Sequence, residues 1–143
     1  MKIIINNCYG GFSLSPKAQV EFLKRKGKKA FFYKQTKYIH NDKKEEYVRL
    51  TVREASSASF TYTLTKDLGK VVEKLPDDNN IWFNGRDIER NNPDLIAIVE
   101  EMGNDASGSC ANLKIVKIPD DVEWEIDEYD GNEWVSEKHK RRS

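Results

Sequence analysis

The chain has 143 residues, 38% apolar and 34% charged, with 24 basic and 24 acidic side chains and no net charge. That length supports a buried core without disulfides or a structural metal, and zero net charge excludes whole-molecule attraction to nucleic acid or membrane as the driving force. Two cysteines, Cys8 and Cys110, do not make the dense framework of a small secreted scaffold. No apolar stretch approaches the ~20 residues of a membrane span, so a cytoplasmic protein is expected.

Lys2–Asn6 reads as a strand whose unbroken Ile3-Ile4-Ile5 run suits burial on both faces. The loop Asn7–Leu14 carries Gly10-Gly11, and Ser15-Pro16 then combines a capping residue with a first-turn proline. The helix that follows ends at Gly27. Strands are expected over Lys29–Thr36, Tyr47–Val52 and Phe60–Leu64, the last two joined as a hairpin through the Ser56–Ser59 region. Lys66–Leu75 has short helical character, weakened by Gly69. Pro76–Asn80 is a turn cluster before the apolar Ile81-Trp82-Phe83. Asn92-Pro93 repeats the cap-then-proline pattern and opens a helix to Met102, closed by Gly103. Leu113–Ile118 alternates as a strand. Val122, Trp124 and Ile126 alternate with Glu123, Glu125 and Asp127, and Asp130-Gly131 is a hairpin turn signal that folds Asn132–Val135 back. The expectation is an α+β fold: one domain over 1–137, a mixed, mostly antiparallel sheet of about five to seven strands, and two main helices, 15–26 and 93–102. The basic tail 138–143 is expected to be disordered.

The first candidate site is the loop Asn7-Cys8-Tyr9-Gly10-Gly11-Phe12, between a strand and a helix start. Glycines allow close approach to a ligand, and backbone N–H groups with the helix dipole favour an anion. Tyr9 or Phe12 would stack on a base. The loop lacks the Gly-Lys-Ser/Thr of a Walker motif and is not a dinucleotide fingerprint. Cys8 in this position is also a candidate nucleophile, although no histidine is brought near it by the sequence; His40 and His139 lie in polar segments. The two cysteines and two histidines lack the paired short spacing of a zinc site, and neither a metal nor a cofactor is expected.

Charge is sharply polarised. Residues 17–44 hold ten Lys/Arg against two acids, whereas residues 119–137 hold nine acids and no base. Glu123, Glu125 and Asp127 share one strand face at about 6.8 Å spacing, with Asp120, Asp121, Glu128, Asp130 and Glu133 adding to the same acidic field, and Trp124 on the opposite face is expected to be a core anchor. This acidic surface is a solvated face, a nucleic-acid mimic for a basic protein groove, or one half of a self-complementary homo-oligomer contact. Phe31, Phe32, Tyr33, Lys34, Lys37 and Tyr38 interleave aromatic and basic residues, a mixture that can hold nucleic acid; Phe31 and Phe32 read more simply as core, and direct nucleic-acid binding is not expected of the chain.

Two runs, Ile5-Asn6-Asn7-Cys8-Tyr9-Gly10-Gly11-Phe12-Ser13-Leu14-Ser15 and Leu113–Ile118 continuing through Pro119-Asp120-Asp121-Val122-Glu123-Trp124-Glu125-Ile126-Asp127-Glu128-Tyr129-Asp130-Gly131, resemble a family of small phage and prophage proteins, as does Glu137-Lys138-His139. The resemblance implies a viral setting in the host cytoplasm and no particular activity. In that setting, the function expected from the residues is a non-enzymatic accessory protein that counters or modulates a host process by binding, with an anionic, nucleotide-like ligand at the glycine loop. The alternatives are an inhibitor of a host protein acting through the acidic face, and a Cys8-dependent enzyme.

Overall fold

A computed structural model describes residues 1–37, 45–58 and 60–137. The expectations for Tyr38, His40, Ser59, His139 and the tail lie outside the described residues. In chain order the elements are β1 (Lys2–Asn6), α1 (Pro16–Arg25), β2 (Phe31–Lys37), β3 (Glu46–Leu50), α2 (Val52–Ser57), β4 (Tyr62–Leu64), β5 (Val71–Val72), β6 (Trp82–Phe83), α3 (Pro93–Met102), β7 (Leu113–Lys117), β8 (Trp124–Tyr129) and β9 (Asn132–Glu137), with 3-10 turns at Gly85–Asp87 and Gly103–Ala106. The fold is α+β, as its alternation of strand and helix patterns implies.

Among the described residues the strands are antiparallel, as mostly expected, but form three sheets, β1-β7, β5-β3-β2-β4-β6 and β8-β9, in place of the single sheet expected. Alternation tells a strand which way its side chains point, but not which neighbour completes its ladder. The expected β3–β4 hairpin is likewise absent, because β2 lies between the two and pairs with both. The segment meant to turn that hairpin forms α2. Thr51 accepts from the Glu54 amide while the Glu54 side chain accepts from the Thr51 amide, a capping box legible in the sequence as Thr51-x-x-Glu54. Lys66–Leu75 is not helical. Gly69 takes φ 101, the Tyr33 hydroxyl accepts from the Leu68 amide and donates to the Gly69 carbonyl, and β5 follows. These tertiary bonds claim the backbone groups a helix would have used.

The chain divides into two compact units, residues 1–18 with the chain from 85 onward, and residues 19–84. The second unit has its core in Tyr33, Tyr47, Leu64 and Leu75, with Phe31, Tyr62 and Trp82 packed against it. Tyr33 is therefore buried rather than a surface aromatic for nucleic acid; its position in the central strand β2 turns it inward. Phe32 is buried as well.

The first unit carries the candidate sites. Ile3, Ile4 and Ile5 of β1 are all buried, and α3 lies against β1 and β7 with Leu95, Ile98 and Val99 buried. Burying each such side chain contributes about 1.5–3 kcal/mol. Asn92 caps α3 by accepting from the Asp94 and Leu95 amides, and Gly103 closes it at φ 59. Ser15 caps α1 through the Ala18 amide at 3.2 Å. β9 also meets β1. In β8, Trp124 and Ile126 form the more covered face, but both are half-buried. Trp124 is thus not the fully buried anchor expected: the hairpin is a two-stranded sheet, which cannot enclose a side chain as a larger sheet does.

Candidate functional site

Everything at the glycine loop starts from Asn6, fully buried at the end of β1. Its Nδ2 donates to the Cys8 and Gly131 carbonyls, each at 2.8 Å, and its Oδ1 accepts from the Asn112 amide at 2.8 Å. Its own amide donates to Glu133 Oε1 at 2.8 Å. One side chain thereby ties the glycine loop to the segment before β7 and to the β8–β9 turn. A buried polar group stays only where its bonds are made, so Asn6 sets the arrangement of all three.

The turn Asp130-Gly131 has φ 51 and φ 88, the two positive values of the type I′ turn its sequence signals. A Cβ on Gly131 would overlap the amide nitrogens of Gly10 and Gly11. Gly10, at φ 132, has no more room: a Cβ there would stand 2.7 Å from the Cys110 carbonyl oxygen. The Gly10 amide donates to the Asp130 carbonyl at 3.3 Å. Gly10-Gly11 and Gly131, far apart in the chain, are therefore packed glycine to glycine.

Beside this contact is a cleft of about 360 Å³. Its floor is Arg90 and Glu133, paired through Nη1–Oε1 at 2.5 Å and Nη2–Oε2 at 2.9 Å. The Arg90 guanidinium carbon lies 3.7 Å from the centre of the Phe12 ring, a stacked cation–π contact. Arg90 is held by its own backbone, whose carbonyl accepts from the Ile4 amide at 2.8 Å. On the loop side Arg86, presented by the first 3-10 turn, donates from Nε to the Phe12 carbonyl at 3.2 Å. On the turn side are the exposed carboxylates Glu128 and Asp130.

Of the loop residues singled out from the sequence, Gly10, Gly11 and Phe12 line this cleft, whereas Asn7, Cys8 and Tyr9 are not among its lining residues. Phe12 is buried under Arg90 and is not a surface on which a base can stack; Tyr9, 62% exposed, is the accessible ring. An anionic ligand here would face Glu128 and Asp130 and would find the Gly10 amide already bonded. Cys8 is half-buried with Sγ 3.5 Å from the Tyr9 carbonyl oxygen, and Cys110 is an exposed free thiol. Arg86 and Arg90 were not singled out from sequence; Asn6 reads there only as the junction of the first strand and the glycine loop, and Glu133, expected in the exposed acidic field, is instead buried, because Arg90 and the Asn6 amide hold its carboxylate. Arg86 and Arg90 lie in a stretch with no motif, and the one usable signal was a polar Asn closing an all-isoleucine strand.

The second feature is the outer face of the β8–β9 hairpin. The register pairs Glu125 with Ser136, Asp127 with Trp134 and Tyr129 with Asn132, so these six share a face and Glu123 continues it. Glu123 and Glu125 are exposed and Asp127 is half-buried, accepting from the Ser136 hydroxyl. On the same face Tyr129 is 70% and Trp134 45% exposed. Asp121 is exposed, and so is Asp120, whose carboxyl is held below its usual range by the hydrogen bond from the N-terminal ammonium at 2.6 Å.

Among the described residues no group of three or more His, Cys, Asp or Glu is placed to hold a metal, and no helix is long and apolar enough to cross a membrane. No protein-family model matches the chain, and no curated protein or solved structure is significantly similar to it.

Proposed function

We propose that this chain is a non-enzymatic binding protein that docks on a basic protein surface through the outer face of the β8–β9 hairpin. The setting implied by the family resemblance is a phage accessory protein acting on a host factor in the host cytoplasm. The observation that carries the reading is the exposure of Tyr129 and Trp134 on the face that bears Glu123, Glu125 and Asp127. Exposed large aromatics on a charged surface are the composition of protein interfaces, where Trp and Tyr supply much of the binding energy. The carboxylates recur about every 6.8 Å along the strand with no lysine or arginine between residues 119 and 137. A groove built to neutralise closely spaced phosphates can accept such a row.

The test is affinity capture from host lysate with the parent chain and with two variants, Glu123→Gln/Glu125→Gln and Trp134→Ala. The expected result is a partner that normally binds nucleic acid, displaced by duplex DNA, weakened by added salt and lost with both variants. A partner retained equally by the parent and both variants would refute the reading.

A further inference from the structure

We infer that the outer face of the β8–β9 hairpin recognises arginine side chains of its protein partner, a guanidinium stacking on the Trp134 or Tyr129 ring while it pairs with a neighbouring carboxylate. The inference rests on the docking reading of this face and narrows the partner to one that presents arginine rather than lysine. It starts from a contact the chain makes within itself. The Arg90 guanidinium carbon stands 3.7 Å from the centre of the Phe12 ring, while Nη1 and Nη2 both donate to the Glu133 carboxylate. The ring takes the face of the guanidinium and the carboxylate takes its edge.

The other face of the same hairpin repeats ring and carboxylate without a cation. Trp134 follows Glu133 in β9 and so points the opposite way. It pairs with Asp127, and Glu125 and Tyr129 are its diagonal neighbours across the ladder, at the ~7–8 Å that aromatic and long side chains span. Trp134 is 45% and Tyr129 70% exposed. Asp127 already accepts from the Ser136 hydroxyl, whereas Glu125 is exposed and no described residue forms an ion pair with it. Asn132, opposite Tyr129, has a buried Oδ1 to which no described residue donates. The face therefore offers acceptors and aromatic rings and has no lysine or arginine among its residues. A lysine ammonium is a compact, strongly hydrated point charge that answers the carboxylates and leaves the rings in water. The planar, weakly hydrated guanidinium of arginine covers a ring with its face and reaches Glu125 with its edge. The exposed rings make this distinction, since carboxylates alone attract either cation.

The experiment is calorimetric titration of the full chain with hexa-arginine and with hexalysine, peptides of equal length and charge, at one salt concentration. Hexa-arginine is expected to bind the parent about fivefold more tightly, the ratio an exposed cation–π contact supplies. In Trp134→Ala/Tyr129→Ala that preference should vanish, while weak, salt-sensitive binding of both peptides remains. Glu125→Gln should weaken both peptides, and hexa-arginine more, because its paired contact is lost. Equal thermal melting of parent and variants checks folding, and the parent's own arginine-to-lysine ratio can overturn the inference without any variant. Equal affinity of the parent for the two peptides would do so, as would an arginine preference that survives loss of both rings, or no binding of hexa-arginine at millimolar concentration. Equal affinity together with a nucleic-acid-binding partner captured from lysate and lost with Glu123→Gln/Glu125→Gln would remove the arginine inference and leave the docking reading standing. An arginine preference lost with the rings, in a chain that captures no such partner, would support the arginine site and refute only the choice of a nucleic-acid groove.

Discussion

Removing the Glu133 carboxylate should be among the most damaging single changes in the first unit. That carboxylate accepts Arg90 Nη1 at 2.5 Å, Arg90 Nη2 at 2.9 Å and the Asn6 amide at 2.8 Å. Glu133→Ala leaves a guanidinium without its counter-ion and a buried amide without an acceptor. Deleting one member of a buried pair costs about 3–5 kcal/mol, and an orphaned buried donor about 1–3 kcal/mol. The two do not simply add, since Arg90 is partly reachable by water and already approaches the Ile4 carbonyl at 3.4 Å; the expected total is about 3–5 kcal/mol. Glu133→Gln retains an acceptor for the Asn6 amide and for one guanidinium N–H, and should cost about 1–3 kcal/mol. Arg90→Met with Glu133→Leu removes both charges, strands neither, and should be less harmful than Glu133→Ala alone. Urea unfolding followed by tryptophan fluorescence reads all three, with the midpoint of Glu133→Ala lowered by about 2 M for an ordinary urea slope. A Glu133→Ala chain within 1 kcal/mol of the parent, or a double variant as unstable as it, would refute the view that this pair holds the hairpin to β1.

Gly10→Val should destabilise by roughly 1–3 kcal/mol, because φ 132 strains a branched residue and its Cβ would press on the Cys110 carbonyl; an unchanged urea midpoint would count against the packed glycine contact. Tyr33→Phe should cost about 1–3 kcal/mol through the Leu68 amide and Gly69 carbonyl it orphans. Burial also raises the Tyr33 pKa above its ordinary value, with a further rise from Asp67. The folded state then holds this proton more tightly than the unfolded one, so the associated stability is present below pH ~10 and falls as pH rises through the raised value. Ultraviolet titration of the parent and of Tyr33→Phe should differ by one ionisation step, lying above the ordinary tyrosine value. Ellman titration should count two free thiols after denaturation under non-reducing conditions, and in the native chain Cys110 should react before the half-buried Cys8.

Local chemistry decided much of this protein. Ser15-Pro16 and Asn92-Pro93 start helices because capping and a fixed proline φ act within one turn of chain, and Asp130-Gly131 folds its hairpin because the turn needs two positive φ angles that these residues tolerate. The Ile3–Ile5 run announced burial on both faces, and the 122–127 alternation separated an acidic face from an apolar one. Even the missed α2 was written in Thr51-x-x-Glu54. Tertiary structure alone decided the rest. It put β2 between β3 and β4, drew Gly69 out of a helix through the Tyr33 hydroxyl, and brought Arg86, Arg90 and Glu133 to the glycine loop. It also placed Tyr129 and Trp134 beside the carboxylates on one face, a matter of cross-strand register. The division has a physical cause. Caps, turns and alternation are settled by neighbours a few residues away, whereas a ladder partner or a buried ion pair depends on which distant groups satisfy one another, and a buried Asn6 or Arg90 shows its partners only once the chain has folded around it.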